Sequence, residues 1–288
     1  MIKTRNGKII STNEKQNKLL EHLYGTVSGR ILLKLLTAPP LSKAVGAFMS
    51  CGLSKPMIKK FVKSNNIDTS QYEMCGLHTY NEFFTRKIKD GKRPIDLQPK
   101  HLISPCDSKL SAFRISDKST FKIKNTYYSV SDLLNGSKLA EHFSGGWCLI
   151  FRLEVDDYHR YSYIDNGDKC GNTFVHGELH TVNPIALEHY NIYKRNCREY
   201  TTLYTENFGD VVQVEVGAML VGKIANKHNE YSFKRGEEKG KFLFGGSTIV
   251  LLIKEGKAEI DSDIQKNTAD GFETVVKLGE KIGEALCS

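Results

Sequence analysis

The residues of this chain that invite a chemical reading begin with Gly245-Gly246-Ser247-Thr248. Glycine puts no side chain over its own carbonyl and tolerates a strained backbone. The Ser247 hydroxyl is a nucleophile placed next to that carbonyl, so Gly246-Ser247 reads as a self-cleaving peptide bond. Taken alone, the same step is more simply a glycine bulge ahead of a buried strand. Asp107, in the turn Ser104-Pro105-Cys106-Asp107, suits bonding to nearby backbone amides; its functional alternative is to orient a histidine. His159, in Asp157-Tyr158-His159-Arg160, is either a hydrogen-bonded core histidine or a general acid/base. His176 and His180 would share one face of a regular strand, unless Gly177 introduces a bulge. No carboxylate or cysteine completes a ligand set around them, so a metal is not expected.

The elements that must position these groups fall into two textures. The first 75 or so residues read as helical. Asn17 to Tyr24 has helical apolar spacing, Ile31 to Leu36 is strongly apolar, and Pro39-Pro40 stops it. A further helix is expected over Leu41 to Ser50. Met57 to Lys63 interleaves apolar and basic residues, which suits a membrane interface or packing on the main domain. From Tyr80 a helical turn carrying two aromatics begins and ends at Asp90-Gly91, and Arg93-Pro94 starts an extended segment. From about residue 101 short strands and turns take over. Trp147 to Leu153 reads as a buried strand, and Asp165-Asn166-Gly167 as a tight turn. Asn196 to Tyr204 and Val211 to Val216 read as strands, the second with Gln213 and Glu215 on one face. Met219 to Ile224 is expected to extend the sheet. Ile249 to Ile253 is a buried strand, Val130 to Leu139 a short helix, and Ala269 to Leu286 a helix.

Composition bounds the function. The 288 residues are 40% hydrophobic, enough for one sizeable core or two small ones. A net charge of +8 points to an anionic partner. Lys and Arg are spread along the chain, so nucleic acid is not expected. No apolar run reaches the roughly 18 residues that span a bilayer. The polar start after Met1-Ile2 lacks an apolar signal core, which suggests a cytosolic chain or one bound to the inner membrane face. The seven cysteines form no CxxC pair, so neither a zinc site nor a disulfide framework is indicated.

Several segments together resemble the phosphatidylserine decarboxylase family. Glu82-Phe83-Phe84-Thr85-Arg86 with Arg93-Pro94-Ile95-Asp96 looks like one signature, and Ser104-Pro105-Cys106-Asp107 like the segment of the catalytic Asp. Asp157-Tyr158-His159-Arg160 resembles the histidine motif, and Gly246-Ser247-Thr248 the processing site. Val182-Asn183-Pro184, Glu206-Asn207-Phe208-Gly209 and Val216-Gly217-Ala218 also match. The resemblance spans about residues 80 to 260 in the family's order.

It implies an α+β fold: a helical, membrane-facing region over 1–79 and a β-rich catalytic domain over 80–288. It implies self-cleavage into a β chain, 1–246, and an α chain, 247–288. Ser247 would attack the Gly246 carbonyl, and the resulting ester would eliminate and hydrolyse to leave a pyruvoyl group from Ser247. That covalent cofactor would form a Schiff base with phosphatidylserine and release carbon dioxide and phosphatidylethanolamine. The catalytic set implied is Ser247, Asp107 and His159. The enzyme would sit peripherally on the cytoplasmic face of an anionic membrane, and a homodimer is compatible with this picture. One departure stands out: the family's second histidine, three residues after the first, is Ser162 here. Either His159 takes over the base, or His180 or His176 reaches the site, or processing is slow or absent. The competing readings are a non-processing lipid-binding relative and a decarboxylase of a related serine ether lipid.

Overall fold

The computed structural model describes residues 1–10, 21–23, 25–26, 28–29, 39–123, 126–177, 196–217, 224–243 and 247–286. The chain opens with β1 (Ile2–Lys3) and β2 (Ile9–Ile10), followed by α1 (Pro39–Met49), α2 (Pro56–Ser64) and α3 (Tyr80–Phe84). Next come β3 (His101–Ile103), β4 (Ser108–Arg114), β5 (Thr120–Ile123), β6 (Thr126–Ser129), α4 (Val130–Leu133) and β7 (Trp147–Leu153). Short strands β8 (Arg160–Ser162), β9 (Gly167–Lys169) and β10 (Thr173–Val175) precede the long hairpin β11 (Arg198–Thr205) and β12 (Gly209–Val216). β13 (Ile224–Asn226), β14 (Tyr231–Phe233), β15 (Glu238–Phe242) and β16 (Ser247–Ile253) follow. The chain closes with β17 (Ala258–Ile260), α5 (Ser262–Ala269), β18 (Glu273–Val276) and β19 (Lys281–Ala285).

The architecture is mixed α+β and strand-rich, as expected. Among the described residues the main sheet runs β14-β9-β11-β12-β16-β7-β4-β18-β1-β2, with β10 also on β11. Its centre is β16, antiparallel to β12 on one side and β7 on the other. All seven residues of β16 and of β7 are buried. Successive side chains of a strand point to opposite faces, so these strands feed two cores at once. Cys148, Ile150, Val212, Val214, Val250 and Leu252 pack on one face, beneath β5, β6 and α4. Leu149, Phe151, Leu153, Ile249, Leu251 and Ile253 pack on the other, beneath Leu102, Tyr161, Phe242 and Ile282. Burial on both faces is why β16 reads as an unbroken apolar run.

Three expectations are corrected. The first ten residues are strands, not helix: Ile2 pairs in parallel with Glu273 and is buried there. α1 begins at Pro39, ahead of the expected start at Leu41, because a proline in the first helical turn gives up an N–H that has no partner there anyway. Residues 269–286 are α5's last residue, β18 and β19. Gly271 and Gly279 take φ values of 79° and 81°, which end helices. Thr274 and Val276 are buried between them at strand spacing, and Ile282 is buried beyond Gly279. The segments expected as helices at 17–24 and 31–36, and most of the expected sheet extension at 219–224, lie outside the described residues.

Helices α1 to α3 form a satellite core. Met49, Ile58, Tyr80, Phe83 and Phe84 are its buried members, with Val45, Phe61 and Val62 packed against them. α2 follows the Met57 to Lys63 reading, with Ile58 inward and Lys59, Lys60 and Lys63 exposed.

Candidate active site

Three neighbouring strands bring their ends together. Ser247 opens β16 opposite Leu153, the last residue of β7. Lys109 of β4 faces Arg152 of β7, so Asp107, just before β4, stands at the same end of the sheet. His159 follows β7 after a turn. Its carbonyl accepts from Phe242 N at 2.9 Å, which ties it to the end of β15, shortly before Ser247. Gly246, the acyl side of the expected scissile bond, lies outside the described residues.

The polar atoms here are unusual. Ser247 is 1% exposed, and its Oγ has no hydrogen-bond partner among the described residues. The same holds for Ser108 Oγ, Ser162 Oγ, Thr248 Oγ1 and His159 Nε2. Buried polar groups are ordinarily paired, because leaving one unsatisfied costs about 1–3 kcal/mol. They are concentrated around one end of three adjoining strands. Strand alternation puts Ser247 on the face of Ile249 and Leu251, and Ser108 on the face of Leu110, which is the same side of the sheet.

His159 is fully buried. Its Nδ1 lies 2.9 Å from the Asp157 carbonyl. A carbonyl only accepts, so Nδ1 carries the proton and Nε2 presents a lone pair. Burial drives the imidazole pKa down to about 3, the Asp157 carbonyl opposing and Arg86 and Lys109 adding to the fall. The ring is therefore neutral at physiological pH, and its basicity is low. Phe84 packs on it with ring centroids 3.9 Å apart.

Asp107 is 1% exposed and engaged on both oxygens. Arg93 donates from Nη2 to Oδ2 at 2.7 Å and from Nε to Oδ1 at 2.9 Å. Leu278 N donates to Oδ1 at 2.9 Å, and Lys277 Nζ stands 3.4 Å from Oδ2. Burial alone would raise this carboxyl; the Arg93 hydrogen bonds and the Lys277 and Arg93 charges outweigh it and hold the pKa below its ordinary value. Among the described residues Asp107 orients no histidine. Its partner is an arginine.

The aromatic helix grips the histidine loop. α3 starts with a capping box: Thr79 Oγ1 accepts from Glu82 N at 3.2 Å, and Glu82 accepts from Thr79 N at 2.9 Å. Past its end, the Thr85 carbonyl accepts from Arg160 Nε at 2.8 Å. Arg86, 1% exposed, reaches the Asp156 carbonyl at 3.2 Å and stacks over Tyr72 at 4.1 Å. Residues on both sides of His159 are thus held by one five-residue helix and its exit.

The predicted residues are not all assembled. Ser247, Asp107 and His159 share no direct hydrogen bond. Ser162 is buried in β8, its N–H donating to the Pro105 carbonyl at 2.9 Å, so the departed position sits beside the Asp107 turn. His176 is exposed beyond β10, edge-on to Phe174 at 4.9 Å. Three strand spacings separate β10 from β16 along the sheet, roughly 14 Å. His180 and the Val182-Asn183-Pro184 segment lie outside the described residues. Asn207 of the Glu206 segment bonds buried Asp165 through its backbone N at 2.8 Å and its amide at 3.0 Å, and Arg235 pairs with the same carboxylate at 2.8 Å. That segment is a structural clamp.

Comparison with known proteins decides the family. A family model described as phosphatidylserine decarboxylase matches residues 80–284. Phosphatidylserine decarboxylase proenzyme 2 of Clostridium acetobutylicum is 49% identical over 94% of each chain. The phosphatidylserine decarboxylase proenzyme of Ruminiclostridium cellulolyticum is 42% identical over 93% of this chain and 92% of its own. The Clostridium perfringens protein of that name is 40% identical, covering 98% of this chain and 99% of its own. The chain belongs to the phosphatidylserine decarboxylase family. The matched span opens at α3 and closes within β19, so it contains every candidate residue. Within this decarboxylase framework, residue-type reasoning overlooked Arg93 as the partner of Asp107 and Phe84 as the wall of His159. Both stood in the sequence inside the signature segments, yet nothing local says that a residue near 93 folds back on 107. Gln213 and Glu215 were placed on one face, and that face is interior: buried Lys239 neutralises Glu215 at 2.6 Å.

Proposed function

We propose that this chain is a self-processing phosphatidylserine decarboxylase that makes phosphatidylethanolamine at a membrane surface. The observation carrying this reading is the buried, unpartnered Ser247 hydroxyl on the first residue of a strand paired on both sides. Ser247 Oγ attacks the Gly246 carbonyl and converts the amide to an ester. Removal of the Ser247 α-proton expels the Gly246 carboxylate, and the dehydrated residue takes up water and releases ammonia. The pyruvoyl group so formed supplies an electrophilic carbonyl that binds the substrate amine and accepts electrons as carbon dioxide leaves. The residues fit such a group: β16 holds its attachment point, and the unpartnered Ser108 and Ser162 hydroxyls and His159 Nε2 are close at hand along the strand ends.

In this reading His159, neutral with a free Nε2, is the proton acceptor for processing in place of the histidine replaced by Ser162. A base whose pKa lies far below the working pH is inefficient, so maturation is slow. Asp107 with Arg93 fixes the turn that carries Pro105 against Ser162. The enzyme approaches the bilayer through the exposed Phe48, Leu53 and Met57, flanked by exposed Lys55, Lys59 and Lys60. An apolar patch with a basic rim suits an anionic interface. No helix of the described residues is long and apolar enough to cross a membrane.

Intact mass of the folded protein over time tests the proposal. Two pieces divided between Gly246 and Ser247 are expected, the smaller one blocked to Edman degradation, together with carbon dioxide release from phosphatidylserine vesicles. Ser162→His is expected to speed cleavage at least tenfold. A chain that stays whole after prolonged incubation would leave only the lipid-binding alternative.

A further inference from the structure

A cleft of about 250 Å³ lies between the segment around Lys89 to Ile95 and the strands β8 and β15. Ser162 forms part of its wall, 2% exposed, with an Oγ that no protein atom satisfies. Arg160 lines it too, and Arg160 is the direct cross-strand partner of Lys241. Opposed residues of an antiparallel pair share a face and sit close, and like charges there are destabilising. Glu238 partly offsets them, meeting Arg160 at 3.0 Å and Lys227 at 3.1 Å. Lys241 and exposed Lys87 have no ion-pair partner among the described residues. Partial burial lowers the Lys241 pKa first, and the charges of Arg160, Lys227 and Lys87 lower it further against Glu238. Asp90 also borders the cleft but is exposed. Lys89, Arg93 and Arg160 thus line a cleft that also holds a buried hydroxyl, and Lys241 stands beside Arg160 on the neighbouring strand.

We propose that this cleft is the subsite for the phosphodiester of the lipid headgroup, held by Lys241 and Arg160 at the rim and by the Ser162 hydroxyl in the wall. The inference rests on the decarboxylase reading above. A serine phospholipid offers two anions, and the choice between them follows from the reaction. Fixed cations around the carboxylate would stabilise the charge that must disappear as carbon dioxide leaves, which favours the ground state. Cations around the phosphodiester keep their partner throughout and anchor the reacting end. Ser162 thereby has a second use: where the family pattern has a histidine, this chain places a small hydroxyl that leaves room for a phosphate oxygen.

The test uses the full chain as purified, cut or whole. Isothermal titration with glycerophosphoserine, which lacks acyl chains, reads headgroup binding apart from any membrane contact, and inorganic phosphate is the second probe. Lys241→Gln is expected to weaken glycerophosphoserine about tenfold, the size of one charge-assisted contact. Lys87→Gln, at an exposed position that does not endanger folding, is expected to weaken it about threefold. Lys266→Gln, on α5 with its side chain 76% exposed, is the charge-matched control and leaves binding as it was. With a soluble short-chain phosphatidylserine the Lys241 effect appears in KM and not in kcat. Unchanged affinity in both Lys241→Gln and Lys87→Gln overturns the subsite. So does inorganic phosphate binding more tightly than glycerophosphoserine, which marks a free-anion site, or a loss confined to binding of phosphatidylglycerol vesicles, which marks a membrane contact. An uncut or inactive wild-type chain that still binds glycerophosphoserine through Lys241 overturns the decarboxylase reading alone.

Discussion

His159 carries a consequence for acid stability as well as for chemistry. In the folded chain its imidazole stays neutral down to about pH 3, against an ordinary value of 6.5. Between those values the unfolded chain binds the additional proton, so stability falls as the pH drops through that window. His159→Gln is expected to remove about 1.4 kcal/mol per pH unit of that slope, measured by urea unfolding between pH 6 and 4. The same neutrality leaves the rate of self-cleavage flat from about pH 5 to 8, where an unshifted histidine would lose activity below about 6.5. Asp107 works in the opposite chemical sense. Its folded pKa is depressed, so its stabilisation is present above the ordinary carboxylate range and is lost as pH falls below it. Asp107→Asn leaves Arg93 buried without its counter-ion and is expected to cost about 3 kcal/mol in urea unfolding at pH 7. A cost under about 1 kcal/mol would mean that water screens the pair. Ser247, Asp107 and His159 were each singled out from local sequence. Their partners were not, because Arg93, Phe84 and Leu278 meet them only through the tertiary fold.

At the scale of elements, the strands with continuous burial were legible and the mixed segments were not. β7 and β16 announce themselves by runs of apolar residues buried on both faces. The closing segment misled because Val275, Val276, Leu278, Ile282 and Leu286 also satisfy a helical period. The glycines were the contrary signal. A Cβ added at Gly279 would stand 2.6 Å from Ile95 Cδ1 and 2.9 Å from the Pro94 carbonyl, at a φ of 81°. Gly279 N also donates to the Ser104 carbonyl at 2.9 Å, so the turn between β18 and β19 braces the Asp107 segment. Gly279→Ala is expected to destabilise by about 2 kcal/mol through strained backbone and crowding, and to slow self-cleavage by disturbing the Leu278 contact with Asp107. Thermal unfolding read alongside intact mass checks both effects. Normal stability with normal cleavage would show that the turn adapts at no cost.

For the whole molecule, the helical satellite core meets the sheet around His159, where Phe84 packs on the imidazole and Thr85 and Arg86 hold Arg160 and Asp156. The surface of that satellite carries the exposed Phe48, Leu53 and Met57, the face proposed to touch lipid. Leu53→Glu, at a residue 75% exposed, is expected to weaken binding to phosphatidylglycerol vesicles at least fivefold in sedimentation while self-cleavage proceeds. Binding that ignores both this change and added salt would remove the patch from the membrane contact. Net charge and amphipathic spacing are what point to an anionic surface in the sequence. The participation of β1 in the main sheet was not legible there, since a two-residue strand leaves no periodic trace.

The central position of β16 has one more consequence. Its pairing with β12 and β7 comes from the segment before the proposed cut, and β18 pairs with β1 and β4 from that same segment. Once the peptide bond is broken, the two pieces are interlocked strand by strand, and neither has a complete sheet of its own. Before the cut, unfolding is a unimolecular event that the tether can reverse. After it, each unfolding event releases two partners that must find each other again at their own dilution. Maturation therefore converts a refoldable chain into one whose lifetime is governed by the rate of first opening.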